Sequence, residues 1–372
     1  MIIKSLKLKN FRNYDLLNLE FDEATNIFYG DNAQGKTNIL EAVYLSATTK
    51  SHRGTKDRDM IQFEKEESHI EIVVEKNNIP FQIDMHLKRN SPKGIAINKM
   101  PIKKASELFG IINVVFFSPE DLDIIKDGPA ERRRFMDLEL AALDKVYLND
   151  LTNYSRIINQ RNKLLKDIYN AEDLMQTLDV WDMQLVKYGN KIIERRKLFI
   201  EQINEIIFSI HSKLTGNKEK LKLFYESGTG QIDFETALRK NRERDIKLKS
   251  TSVGPHRDDI CFMANDIDIR KFGSQGQQRT TALSLKLSEI ELIKKITHDK
   301  PILLLDDVLS ELDKHRQNYL LDSISDIQTL ITCTGLDDFV NHRFFINKNL
   351  YIEKGNVKRA KTEIMERIKS KY

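Results

Sequence analysis

Three stretches of this chain carry residue types and spacings that could do phosphate chemistry. The first, Gly30-Asp31-Asn32-Ala33-Gln34-Gly35-Lys36-Thr37, matches the pattern of glycine, four residues, glycine, lysine and threonine. Gly30 and Gly35 would let the backbone wrap a β-phosphate with no Cβ in the way. The N–H groups of Asp31, Asn32, Ala33, Gln34 and their neighbours would form an anion-binding nest at a helix N-terminus. Lys36 is expected to reach the β- and γ-phosphates as the catalytic cation, and the Thr37 hydroxyl to ligate magnesium. The second stretch, Pro301-Ile302-Leu303-Leu304-Leu305-Asp306-Asp307, reads as a buried parallel strand whose C-terminal end delivers two acids. Asp306 would hold magnesium, directly or through water, and Asp307 would orient or deprotonate the attacking water. The third, Gly273-Ser274-Gln275-Gly276-Gln277-Gln278-Arg279, stands ahead of a long helix carrying Leu283, Leu287, Ile290 and Ile293. It makes a second anion site, separate from the first. One molecule has a use for two phosphate cradles if the second grips a γ-phosphate held by a neighbour, so Ser274, Gly276 and Gln277 are expected to act in trans.

The flanks must position these groups. Asn26 to Tyr29 reads as a short buried strand and Asn38 to Thr48 as a helix with Leu40, Val43, Tyr44 and Ala47 on one face, which is the strand, loop, helix order that a phosphate loop requires. Upstream, Leu6 and Leu8, then Leu17, Leu19 and Phe21, alternate on either side of Asn10-Phe11-Arg12-Asn13-Tyr14 and predict two strands joined by a turn. Arg12 and Asn13 are candidates for ATP contacts, since a cation and an aromatic neighbour suit adenine and triphosphate; a plain polar hairpin is the other reading. Lys50 to Arg58 is basic and aperiodic and is read as a solvated connector, with a nucleic-acid contact loop as the other reading.

A hairpin is predicted from Ile70, Ile72 and Val74 against Phe81, Ile83, Met85 and Leu87, with a third strand at Ile95 and Ile97. Ile111 to Phe117 predicts a buried strand, and Ser118-Pro119-Glu120-Asp121 announces a helix. From there to about Lys249 the periodicity is helical. Two stripes, Leu151 to Ile168 and Trp181 to Ile203, interrupted by Arg161 and Arg195, describe two long helices folded back as a short coiled-coil-like arm. The expected organisation is a lobe of residues 1–117 plus 250–372 with an inserted helical lobe of residues 118–249.

Composition narrows the class. The net charge of +4 over 372 residues permits a local basic patch without announcing one. No uncharged apolar run reaches the ~20 residues that span a bilayer, and the start lacks the apolar core of a signal peptide. Cys261 and Cys333 are too few for a disulfide framework, which together suggests a reducing cytoplasm and no membrane. Glu131-Arg132-Arg133-Arg134 and the cations Arg239, Lys240, Arg242, Arg244, Lys247 and Lys249 are candidates for a phosphate-backbone contact or simply wet helix faces.

The motifs together resemble the SMC-like group of ABC-type ATPases, and within it the bacterial recombination mediators. The matching residues are Asn10 to Tyr14, Gly30 to Thr37, Val253-Gly254-Pro255-His256-Arg257-Asp258-Asp259, Ser274-x-Gly276-Gln277, and Asp306-Asp307 followed by Ser310-Glu311-Leu312-Asp313. The resemblance implies an α/β fold, a Rad50-like ABC-ATPase head with a β-rich ATP-binding lobe and a helical second lobe. It implies ATP with Mg2+ as cofactors and a head-to-tail homodimer closed by ATP. It also implies binding to single-stranded, gapped or duplex DNA, partnership with RecR and indirectly with RecO and the RecA recombinase, and roles in recombinational repair, replication and SOS induction. Asp307 is one methylene shorter than the glutamate usual in ABC ATPases, and Thr334 and Gly335 stand where transporters carry a histidine. Both departures imply slow turnover, and the resemblance implies weak, DNA-dependent hydrolysis with ATP acting mainly as a dimerisation switch. The missing histidine and the length of the helical insert argue against the alternative of a transporter's ATPase subunit.

Overall fold

Period-two alternation builds the first sheet. Strands β1 (Ile2–Phe11) and β2 (Tyr14–Glu20) form the amino-terminal hairpin, followed by β3 (Thr25–Tyr29), helix α1 (Lys36–Thr48) and the short α2 (Asp57–Met60). Next come β4 (Glu67–Lys76), β5 (Ile79–Lys88), β6 (Gly94–Ile97), β7 (Met100–Pro101) and β8 (Val114–Phe117). The antiparallel sheet runs β2-β1-β4-β5-β6-β7. Ile70, Ile72 and Val74 pair with Met85, Ile83 and Phe81, and the buried face they share joins one core with Ile39, Leu40 and Val43 of α1.

The computed structural model describes residues 1–167, 174–336 and 346–359. The chain divides into two units, Met1–Asp121 with Ile293–Tyr372, and Leu122–Leu292. Before the chain returns to the first unit it forms α3 (Pro129–Leu143), α4 (Lys145–Asp167), α5 (Leu174–Leu214), β9 (Leu221–Glu226), α6 (Phe234–Lys240) and α7 (Arg242–Leu248). Then follow β10 (Asp259–Ala264), β11 (Ile267–Asp268), α8 (Ile269–Phe272) and α9 (Gln275–Thr297). The chain ends its described part with β12 (Ile302–Asp306), α10 (Lys314–Ser323), β13 (Thr329–Cys333), β14 (Lys348–Glu353) and β15 (Asn356–Arg359).

The second sheet of the first unit has the order β15-β14-β3-β13-β12-β8. All its pairings are parallel except the edge pair of β14 with β15. Every residue of β3, β12 and β13 is buried, as a sheet covered on both faces requires; β12 shows this as an apolar run up to Asp306, while β3 and β13 also bury polar residues such as Asn26 and Thr332. Because β3, β12 and β13 are parallel neighbours, Gly30, Asp306-Asp307 and Cys333 all leave the sheet at one end. Open α/β sheets bind ligands at that end.

In the second unit α4 and α5 pair in opposite directions. Asp144 meets Arg195, Asp150 meets Lys191 and Arg161 meets Asp182. The stripe-breaking arginines that are fully sequestered are Arg161 and Arg196; Arg195, expected in that place, is half-exposed. Ile168 of the first stripe lies outside the described residues. The unit also holds the three-stranded sheet β11-β10-β9. Residues 250–292, grouped with the first lobe on sequence, cluster instead with the helices because β10 pairs with β9 over Asp259 to Ala264. The helix expected at Ser118 is only a 3-10 segment, Pro119–Ile124, and the first full helix begins at Pro129, with Gly128 as N-cap.

Candidate nucleotide site

Gly30 and Gly35 have φ of 144° and 112°, conformations that side chains resist. Space forbids a side chain as well. A Cβ on Gly30 would lie 2.4 Å from the carbonyl oxygen of Ile352, and one on Gly35 would lie 2.5 Å from Asn13 Nδ2 and 2.9 Å from the Tyr14 hydroxyl. The loop is braced from two directions. From the β1–β2 turn, Asn13 Nδ2 donates to the Gln34 carbonyl at 2.9 Å and the Tyr14 hydroxyl to the Gly35 carbonyl at 3.0 Å. From the β14–β15 turn, the Lys354 N–H donates to Gln34 Oε1 at 2.7 Å and the Gly355 N–H to the Gln34 carbonyl at 3.1 Å. Helix α1 then starts at Lys36 with no side-chain cap and no acid in its first turn. Its first N–H groups are thus left for an anion.

Lys36 lies along the loop, and its ammonium donates to the carbonyls of Gly30 and of Asp31, the latter at 2.8 Å. Burial pulls its pKa below the usual lysine value, opposed chiefly by the Asp307 carboxylate. From the next residue, Thr37 Oγ1 donates to Asp306 Oδ1 at 2.8 Å. The strand β12 thereby brings its acid to the helix that follows the loop. Asp307 sits at φ 54°, a left-handed backbone in which Asp is enriched several-fold over other side chains. Its N–H bonds the Thr332 carbonyl, and its carbonyl accepts from the Ser310 hydroxyl at 2.7 Å. Burial raises the Asp307 pKa, with Lys36 opposing. A half-buried carboxylate with a raised pKa beside a buried ammonium has the electrostatics of a proton acceptor.

Arg12 and Asn13 part company. The Arg12 guanidinium makes a bidentate pair with Glu41 of α1, at 2.8 and 2.7 Å, and also donates to Thr55 Oγ1 and the Asp59 carbonyl. Glu41 is fully buried and accepts from Ser51 as well. The segment 50–58, read as a solvated connector, is therefore tied down at Ser51 and Thr55. Of the two candidates from the turn, Asn13 touches the loop and Arg12 anchors the turn to α1.

Ser274, Gly276 and Gln277 belong to the second unit, so the chain carries the two anion sites on separate units. Ser274 precedes α9. Its hydroxyl accepts from the Gln277 N–H at 3.3 Å while Gln277 Oε1 accepts from the Ser274 N–H at 2.9 Å, a reciprocal cap. Ser274, Gln275 and Gly276 are exposed, and a Cβ on Gly276 would meet nothing within 4 Å.

Comparison with known proteins agrees with this geometry. Residues 2–343 match the family model of the RecF/RecN/SMC N-terminal domain. A protein named DNA replication and repair protein RecF, from Agathobacter rectalis, is 63% identical over 357 residues, spanning 96% of this chain and 99% of that one. The chain belongs to the RecF family. A solved structure of the recombination mediator protein RecF with ATP, in the RecFOR pathway, superposes with a TM-score of 0.90 at 36% identity, covering 97% of this chain and 98% of its own. An Smc head domain from Pyrococcus furiosus shares the fold alone, with a TM-score of 0.57 at 17% identity. The mixed α/β head is thus that of the RecF and SMC-like ATPases.

Within this RecF-family chain the motif Val253 to Asp259 serves the interior of the second unit. Asp258 is buried and accepts from Arg196 at 2.7 Å, from the Gly228 N–H at 2.7 Å and from the Tyr225 hydroxyl. Asp259 pairs with Arg132 and Arg270. Arg132 is therefore committed to the interior, and Arg133 donates to the Asp258 carbonyl at 2.7 Å. Of the second basic cluster, Arg239 pairs with Glu235 and Arg242 with Asp179, while Arg244 and Lys247 lie exposed. Sequence reasoning missed Lys354 and Gly355. The only local sign of them was a Lys-Gly turn after the alternating Leu350 and Ile352. It also missed Glu41, whose sign was an acid next to the apolar stripe of α1.

Proposed function

We propose that the chain binds ATP at Gly30 to Thr37 and closes into a homodimer in which Ser274, Gly276 and Gln277 of each copy meet the triphosphate held by the other. Thr37 and Asp306 would hold magnesium. Among the described residues no three His, Cys, Asp or Glu side chains form a metal cluster. A cation here would need phosphate oxygens and water to complete its shell, which is how magnesium binds beside nucleotides. When bound, it neutralises charge on the phosphates. Lys36 would neutralise the β- and γ-phosphates from the loop, and Asp307 would orient the water or accept its proton. The short reach of Asp307 suits slow turnover, with ATP serving as a switch for dimer lifetime.

The observation that carries the two-copy reading is the 274–277 segment. Its first three residues are exposed, it opens a helix, and its glycine has open space where a Cβ would sit. A glycine in a helix costs about 1 kcal/mol relative to alanine, and among the described residues no atom within 4 Å demands one here. A triphosphate approaching from a second copy would.

In this reading the closed dimer retains DNA, single-stranded, gapped or duplex, in recombinational repair and replication. It works with RecR, and through it with RecO and RecA, in loading the recombinase at gaps and supporting SOS induction. Family membership favours this over the transporter alternative, and no described helix is long and apolar enough to cross a membrane. The test is fluorescence anisotropy of labelled gapped DNA with the protein, with and without a non-hydrolysable ATP analogue. Retention only with the analogue, lost in Ser274→Arg while nucleotide binding persists, is the expected result. Equal DNA affinity in both states, or full retention by the Ser274→Arg protein, contradicts it.

A further inference from the structure

We propose that Thr332 is a positioning residue of the nucleotide site, its hydroxyl setting the Asp306 carboxylate and the backbone that carries Asp307. Thr332 lies in β13 and is 2% exposed. Its Oγ1 donates to Asp306 Oδ1 at 2.6 Å and accepts the Asp307 N–H at 3.1 Å. The same N–H also reaches the Thr332 carbonyl at 3.2 Å. A hydroxyl has a single proton to give. Here that proton goes to the Asp306 carboxylate and a lone pair accepts the backbone N–H of Asp307, so one side chain is committed to both residues.

Thr37 donates to the same Oδ1 from α1. Asp306 Oδ1 is thus the point at which α1, β12 and β13 meet. The terminal torsion of an aspartate is otherwise soft. With Oδ1 held from two sides the carboxylate plane is set, and the remaining lone pairs face a defined direction. Ordinary satisfaction of a buried threonine looks different in this same strand, where Thr329 Oγ1 donates to the nearby carbonyl of Ile327 at 3.0 Å. The Thr332 hydroxyl instead crosses to the neighbouring strand and bonds a carboxylate. Outer-shell groups that orient a metal's ligands are worth roughly 10–100-fold in metal affinity.

This inference rests on the proposed ATP reading, and the experiment separates the two. Binding of a fluorescent ATP analogue is measured in the full-length protein across a magnesium titration, and again in chelator, for wild type, Thr332→Val and Thr332→Ser. Thr332→Val is expected to raise the half-saturating magnesium concentration by roughly 10–100-fold, to leave nucleotide affinity in chelator unchanged, and to be rescued by Thr332→Ser. A wild-type magnesium curve in Thr332→Val overturns the inference. So does equal loss of binding with and without metal in both variants, which is the signature of packing alone. If Thr332→Val fails to fold, Thr332→Cys, a weak donor, must show the shifted curve. Failure of the wild-type protein to bind the analogue under any condition sinks the ATP reading itself, and this inference with it.

Discussion

Thr37 and Asp306 stand 269 positions apart in the chain, yet the Thr37 hydroxyl donates to Asp306 Oδ1 across 2.8 Å. The contact joins the first turn of α1 to the end of β12, and it exists because β3, β13 and β12 are consecutive parallel strands. It also isolates one atom for testing. Asp306→Asn keeps an oxygen to accept from Thr37 and removes the charge. Melting is expected to move little, while the magnesium enhancement of ATP-analogue binding should fall by about tenfold or more, a loss of about 1.4 kcal/mol. Nucleotide fluorescence with and without magnesium reads it, and an unchanged enhancement would mean that Asp306 holds no cation.

Two glycines should respond in opposite ways to the same change. Gly35→Ala places a methyl 2.5 Å from Asn13 Nδ2 at a φ of 112°. Nucleotide binding should be lost, with strain on the order of 1–3 kcal/mol showing as a lower melting temperature. Gly276→Ala meets nothing within 4 Å, so the monomer should melt at the same temperature or higher, by up to about 1 kcal/mol of helix propensity. ATP-driven association should nevertheless weaken. Calorimetry and light scattering on the two proteins make the comparison.

Arg196 is 2% exposed and bonds Asp258, Asp137, the Tyr147 hydroxyl and the Pro255 carbonyl. Arg196→Ala leaves Asp258 buried without its cation. Unfolding of the second unit should lose about 3–5 kcal/mol, detectable as an early transition in urea. Below that transition, nucleotide binding by the first unit should persist. A single unshifted transition would show that the buried pair contributes nothing.

His256 sets an acid limit. Its Nδ1 lies 2.7 Å from the Tyr154 hydroxyl and its Nε2 3.0 Å from the Thr251 carbonyl, an arrangement that calls for a neutral ring with the proton on Nε2. Burial lowers its pKa to about 4. A histidine whose folded pKa lies below its unfolded value of about 6.5 contributes full stability above that value and loses it as pH falls toward 4, by about 3 kcal/mol in all. His256→Gln should flatten the dependence of urea stability on pH between 6.5 and 4; an equally steep dependence would assign the acid limit to other groups.

How far the sequence was readable follows how local each interaction is. The loop at Gly30 to Thr37 could be read because its chemistry lies within consecutive residues. Asp306 and Asp307 could be read because an unbroken apolar run aims them. Arg12 could not, since its partner Glu41 lies a turn beyond the loop and only the folded turn shows that the guanidinium is already taken. The brace from Lys354 and Gly355 depends on a strand pairing about 320 positions away from Gln34. The boundary near residue 249 was misplaced because alternation in β10 says that it is a strand but not whether β9 or the first unit pairs with it. Arg161 and Arg195 looked like interruptions of the two stripes; the buried, ion-paired cations are Arg161 and Arg196, so only one of them was identified.

The most direct measurement is sedimentation velocity of the wild-type and Ser274→Arg proteins, each with magnesium and a non-hydrolysable ATP analogue and each without. The expected result is a dimer only for wild type with nucleotide, with both proteins binding the analogue equally well as monomers. A wild-type protein that stays monomeric at every concentration when saturated with analogue, or a Ser274→Arg protein that dimerises as readily, would contradict a nucleotide pocket completed by a second copy.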